Sequence, residues 1–124
     1  MPFNCPECGN KSLEITKSIE LPSDSRSDEI TLQVVQCRSC SFTGIAVYEE
    51  SRRGVLGSEV FDHTGYRVKK TEVKRLRSAI NACPHPRDSH CGCAAHQKLG
   101  SQDTSGRWNG LSGIDLQDAF EMVL

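Results

Sequence analysis

The first fifty residues alternate between apolar and polar. Between Lys11 and Leu21, Leu13, Ile15, Ile19 and Leu21 hold odd positions, and Ser12, Glu14, Thr16, Ser18 and Glu20 hold even ones. A period of two predicts a half-buried strand, whose apolar face Lys17 interrupts near a sheet edge. Pro22 to Asp28 is made of turn formers and charge and predicts an exposed, solvated hairpin tip. Ile30, Leu32 and Val34 alternate with Thr31 and Gln33 in a second strand. Phe42 to Glu50 reads as a third, with Ile45 and Val47 inward and Tyr48 on the other face.

Beyond residue 50 the period changes. Ser51 to Gly57 is a glycine-bearing basic link, and Ser58 to Val68 reads as short extended pieces around a turn at Thr64-Gly65. Asp62 and His63 are neighbours in an extended segment and so face opposite ways, which argues against a catalytic Asp-His pair. From Thr71 to Ala82, Val73, Leu76 and Ile80 recur at i, i+3 and i+7 with Ala79 beside them, the stripe of an amphipathic helix. Thr71 is the expected cap, and Glu72 suits the positive end of the dipole. Leu99 to Gly106 is a flexible link by composition. Leu116, Ala119, Phe120, Val123 and Leu124 then line up opposite Gln117, Asp118 and Glu121, predicting a C-terminal helix capped by Asp115. So short a helix is not stable alone and must dock. Trp108 and Phe120 are the residues expected to engage a protein partner or a second copy of the chain, if its own domain does not take them.

Composition explains why such a chain needs staples. Of 124 residues, 36% are hydrophobic and 25% charged, which is ordinary for a soluble protein but meagre for a core. No apolar run approaches the ~20 residues of a membrane span, so no membrane is expected. The N-terminus lacks a basic-then-apolar leader, and the expectation is a cytoplasmic protein. Seven cysteines in that setting point to metal, not disulfides.

The cysteines are placed for metal. Cys5-Pro6-Glu7-Cys8-Gly9 and Cys37-Arg38-Ser39-Cys40 are two Cys-x-x-Cys turns, each offering two sulfurs from one side of a tight loop, and together a tetrahedral four-thiolate zinc site. Iron is the chemical alternative. Pro6 presets the first turn and Gly9 tolerates positive φ. With knuckle, strand, strand, knuckle, strand in that order, residues 3–50 resemble the zinc-ribbon superfamily. The 28 residues between the pairs call for an extended hairpin or for one with a floppy tip. Ribbons of this kind in transcription elongation and cleavage factors carry acidic residues at the tip that act in a polymerase active site. Here Asp24, Asp28 and Glu29 share the tip region with Arg26 and three serines, without an isolated Asp-Glu pair.

A second cluster follows the helix. Cys83, His85, His90, Cys91, Cys93 and His96 fall within 14 residues, and Cys83, Cys91, Cys93 and His96 are the expected ligands of a second, structural zinc, with His85 and His90 as substitutes. A cytidine-deaminase-like site would need a His-x-Glu ahead of a Cys-x-x-Cys, and the segment has neither.

Charge adds the last element. Residues 1–50 carry −4, residues 51–98 carry +6 and residues 99–124 carry −3. Lys70, Lys74, Arg75 and Arg77 lie mostly off the apolar stripe and give the helix a basic face suited to phosphates or to acidic protein. The expectation is a small, metal-stabilised α+β protein. A three-stranded antiparallel zinc ribbon (1–50) leads to a basic helix and second zinc site (51–98), then to a linker and docking helix (99–124). Its expected function is a non-enzymatic module binding nucleic acid or a nucleoprotein complex. The alternatives are a protein–protein adaptor or oligomeric structural subunit and, last, a metal-dependent hydrolase.

Overall fold

The sheet grows strand by strand in chain order. In a computed structural model that describes residues 2–52 and 60–124, β1 (Phe3–Asn4), β2 (Lys11–Leu21), β3 (Glu29–Cys37), β4 (Thr43–Ser51), β5 (Val60–Val68) and β6 (Leu116–Glu121) form one antiparallel meander. Helices α1 (Lys70–Ala82) and α2 (Ala94–Leu99) come between β5 and β6. The sheet curls: the Asn4 N–H donates to the Val123 carbonyl at 2.7 Å, and Phe3 of β1 meets His63 of β5 edge-on, ring centres 5.1 Å apart. Residues 53–59 of the link expected after Ser51 lie outside the described residues.

Each face of the sheet has its own core. Ile19, Leu21, Ile30, Leu32, Val34, Ile45 and Val47 pack under Val73, Leu76 and Ile80 of α1, the three positions the helical period selects. The opposite, concave face gathers Leu13, Val35, Cys37, Ala46 and Met122, with Phe42 and Phe120 against them. The odd-numbered apolar residues of β2 therefore do not share a face. Ile15 pairs with Val35 but Lys17 pairs with Val34, so a bulge at Thr16 absorbs one residue. An extra residue in a period-two strand turns every later side chain over. Leu13 thus serves the concave core, and Ile19 and Leu21 the helical one. The long gap between the knuckles is filled by an extended hairpin, as expected.

Four expectations fail downstream. Among the described residues there are six strands, not three. Ser58 to Val68 holds no turn at Thr64-Gly65: described from Val60, it is one strand paired with β4 from Gly44↔Arg67 to Ser51↔Val60. Gly65 is central to it because the Phe120 ring lies on top, and a Cβ there would fall 2.3 Å from that ring. The C-terminal helix is not formed. Leu116–Glu121 is β6, with Leu116 opposite Val68 and Phe120 opposite Gly65. The apolar spacing suits a helix, but six residues gain more from the open hydrogen-bonding edge of β5 than from an isolated turn of helix. Helix α1 itself starts at Lys70, with Lys69 as cap and no side-chain capping bond, so Thr71 does not cap it.

The hairpin tip is only partly solvated: Ser23, Ser25 and Arg26 are exposed. Asp24 and Ser27 are buried. The Asp24 carboxylate accepts from the backbone N–H groups of Arg26, Ser27 and Trp108 and from the Arg107 guanidinium, at 2.6–2.8 Å. The stretch composition marks as a flexible link folds back onto the tip, with Ser25 N–H donating to Gly106 O at 2.9 Å. Trp108, expected at a partner interface, packs inward and donates its indole N–H to Leu99 O at 2.6 Å. Phe120 meets Phe42 edge-on, ring centres 5.8 Å apart. Among the described residues no helix is long and apolar enough to cross a membrane.

Candidate metal centres

The first centre is built where the hairpin turns meet. Cys5 and Cys8 flank the turn between β1 and β2, with Gly9 at φ +78° and its N–H donating to Cys5 O at 3.0 Å. Cys37 ends β3, and Cys40 sits in the turn to β4. Their four sulfurs lie within 4.8 Å of one another, with Cys5–Cys40 and Cys8–Cys37 both at 3.7 Å. A disulfide needs about 2.05 Å, so these are thiols. A tetrahedron with ~2.3 Å metal–sulfur bonds has edges of about 3.8 Å, which is the spacing found.

The surroundings treat the thiols unequally. The Ser12 hydroxyl lies 3.1 Å from the Cys37 sulfur, and the Ser39 N–H donates to it at 3.3 Å. Burial of Cys37 opposes ionisation, but Ser12 and these amides outweigh it and lower its pKa to about 6. At Cys40 the Phe42 N–H favours the thiolate. Burial and the crowding of the other three sulfurs prevail, and the thiol is pushed up to about 12. The Cys37 proton leaves readily, and those of Cys5 and Cys40 only if a cation answers the accumulating charge, the condition a divalent metal meets. Arg67 of β5 clips the turn from outside, pairing with Glu7, donating to Pro6 O at 3.1 Å and lying over the Phe42 ring.

The second centre joins the two helices. Cys83 caps the C-terminus of α1, Cys93 caps the N-terminus of α2, His96 lies in α2 and Cys91 comes from the loop between. The Cys83 and Cys91 sulfurs are 3.8 Å apart, and His96 Nδ1 is 3.2 Å from Cys83 and 3.3 Å from Cys93. His96 Nε2 is 2.9 Å from the Glu20 carbonyl, so Nε2 carries the proton and Nδ1 keeps its lone pair for the metal. The backbone N–H and ring of His96 lower the Cys93 pKa to about 6, while burial and the neighbouring thiols push Cys83 up to about 11. His85 and His90 are both exposed on the loop and stand outside the cluster.

Both donor sets, one of four thiolates and one of three thiolates with an imidazole, fit an ion such as zinc. Comparison with known protein families, with curated proteins and with solved structures finds no match for this chain.

The basic residues divide. Lys70, Lys74 and Arg77, at i, i+4 and i+7, share one flank of α1. Arg75 is on the other flank, held by Glu72 at 3.0 Å. The flank of Lys70 runs on to Asn81, which lines a groove of about 460 Å³ together with Lys17 of β2 and Arg87 of the metal loop. Among the described residues none of Lys17, Lys70, Lys74, Arg77 and Arg87 makes an ion pair. Lys17 had a trace in the sequence, as the charge that breaks the β2 pattern. Ser12, Arg67 and Arg87 had none, because their roles depend on contacts between distant segments.

His63 lies on the concave face, its Nε2 2.7 Å from Gln33 Oε1, with Phe3 and Tyr48 edge-on. Burial lowers its pKa. Asp62 pairs with Glu49 on the opposite face, so the two neighbours do point apart.

Proposed function

We propose that this protein is a non-enzymatic, two-zinc module that binds a nucleic-acid backbone. The observation that carries this reading is the run of five cations without ion-pair partners among the described residues, along the flank of α1 and into the groove beside it: Lys70, Lys74, Arg77, Lys17 and Arg87. Phosphate contacts by lysine and arginine depend little on sequence and dominate affinity, and a groove bounded by a strand edge and a helix can follow a backbone. The metals are structural in this reading, because each cluster fills a tetrahedron with protein ligands and leaves no position for substrate. The zinc-ribbon resemblance belongs to the same reading and rests on the two knuckles.

The test is a salt titration of binding to a mixed DNA and RNA pool. Neutralising Lys70, Lys74 and Arg77 to Gln is expected to weaken binding at least ~10-fold and to flatten the log K against log salt slope by ~2–3. Arg75→Gln, on the paired flank, is expected to change neither. Equal affinity of the triple variant and the natural chain defeats the proposal. Binding by the same cations to an acidic protein, with no affinity for the pool, turns it into an adaptor.

A further inference from the structure

On the other side of α1 the molecule has a pocket of opposite character. The groove between α1, α2 and the loop before β6 holds about 390 Å³. Its floor is aliphatic: Leu76, Ala79, Ala95, Leu99 and Ile114. Two cations stand at its rim. Lys98 is exposed and without an ion pair among the described residues. Arg75 spends one guanidinium nitrogen on Glu72 and leaves a side chain that is 63% exposed. Ser101 and Ser112 add hydroxyls.

We propose that this groove binds an aliphatic carboxylate of medium chain length, the tail on the floor and the carboxylate between Lys98 and Arg75. The volume falls in the range of small-molecule sites, which are mostly apolar with a few placed polar groups. At ~30 Å³ for a water-sized group it has room for about thirteen. Charge complementarity selects the head group: two cations against the single carboxylate of Glu72 leave one positive charge, and a guanidinium fork suits a carboxylate. Part of the wall is also open by construction. Gly110 is glycine for a packing reason, since a Cβ there would fall 1.9 Å from Leu99 O. Gly113 has no such reason, because a Cβ there meets nothing within 4 Å. The site is independent of the basic flank and does not rest on the nucleic-acid reading.

The experiment is titration of the zinc-loaded full chain with decanoate, below its micelle concentration, followed by heteronuclear NMR and calorimetry. One saturable site is expected, with shifts centred on Leu76, Ala95 and Ile114. Lys98→Gln with Arg75→Gln is expected to weaken decanoate at least tenfold and to leave 1-decanol unchanged. Ala79→Leu and Gly113→Leu are each expected to abolish binding by filling the groove, and the second meets no steric obstacle to folding. Neutralising Lys70, Lys74 and Arg77 is expected to leave binding intact. The proposal is overturned if no saturable site appears, if decanol binds as tightly as decanoate, if both filling variants bind normally, or if an acidic apolar peptide occupies the groove and decanoate does not.

Discussion

Cys83→Ser is expected to halve the metal content, from two zinc per chain to one, and to melt the helical layer. The sulfur lost is one of four ligand atoms within 4.8 Å of one another, and it ties the end of α1 to α2. Structural zinc contributes about 10–16 kcal/mol in small peptides. A whole domain has about 5–15 kcal/mol of net stability. Loss of the ion is therefore comparable to loss of the fold around it. Helix α2 has six residues and cannot survive without its anchor. His96→Ala is expected to do the same, and Cys37→Ser to remove the other ion and loosen the concave core. His85→Ala and His90→Ala, outside the cluster, are expected to keep both ions. Elemental analysis gives the stoichiometry and far-ultraviolet circular dichroism the helix. Two ions and an unchanged thermal transition in Cys83→Ser would show that the cluster is not a metal site.

The second large effect is expected at the hairpin tip. Asp24→Ala leaves three backbone N–H groups and the Arg107 guanidinium without their acceptor, in a place where the Asp24 side chain is fully buried. Removing one partner of such a buried pair is strongly destabilising, so the expected loss is about 3 kcal/mol. Asp24→Asn keeps one oxygen but turns an NH2 toward Trp108 N–H or Arg107, and is expected to lose about 2 kcal/mol. Urea denaturation at pH 7 measures both, and a change below about 0.5 kcal/mol in each would mean that the tip is not anchored there. Burial alone would raise the Asp24 pKa. The backbone N–H groups of Trp108, Ser27 and Arg26, with Arg107, outweigh it and bring it below the ordinary 3.8. The stabilisation is therefore complete above the ordinary carboxylate value and is lost as pH falls through the lowered one. Glu49, 3.9 Å from the same arginine, is shifted upward by burial and acts in the opposite sense. Metal thiolates also protonate in acid, which is why the comparison belongs at neutral pH.

Local chemistry was legible in the sequence, and long-range pairing was not. All eight residues of the two candidate metal clusters could be read from spacing, because a Cys-x-x-Cys turn and a Cys-x-Cys-x-x-His run converge within a few residues. Val73, Leu76 and Ile80 were legible for the same reason, since period fixes face. The tail was not. The spacing of Leu116, Ala119 and Phe120 satisfies a helix, and only the open edge of β5 and the bare surface of Gly65 make it a strand. Asp24 looked like a solvated turn residue because its partners, Arg107 and Trp108, lie more than eighty residues away. The β2 pattern was read correctly as a strand, but a bulge leaves no mark on alternation, so the division of its side chains between two cores stayed hidden.

That strand has a further consequence. Near its start Ser12 touches the Cys37 sulfur, and near its end the Glu20 carbonyl holds His96 while the Glu20 N–H donates to Pro86 O at 2.8 Å. One stiff rod thus spans two candidate metal anchors. An ion arriving at either end orders the rod and lowers the entropy still to be lost at the other. The metal-free chain should therefore fill its two sites as a pair. With one equivalent of zinc, native mass spectrometry should find mostly empty and doubly loaded chains, and a dominant singly loaded population would mean that the rod transmits nothing.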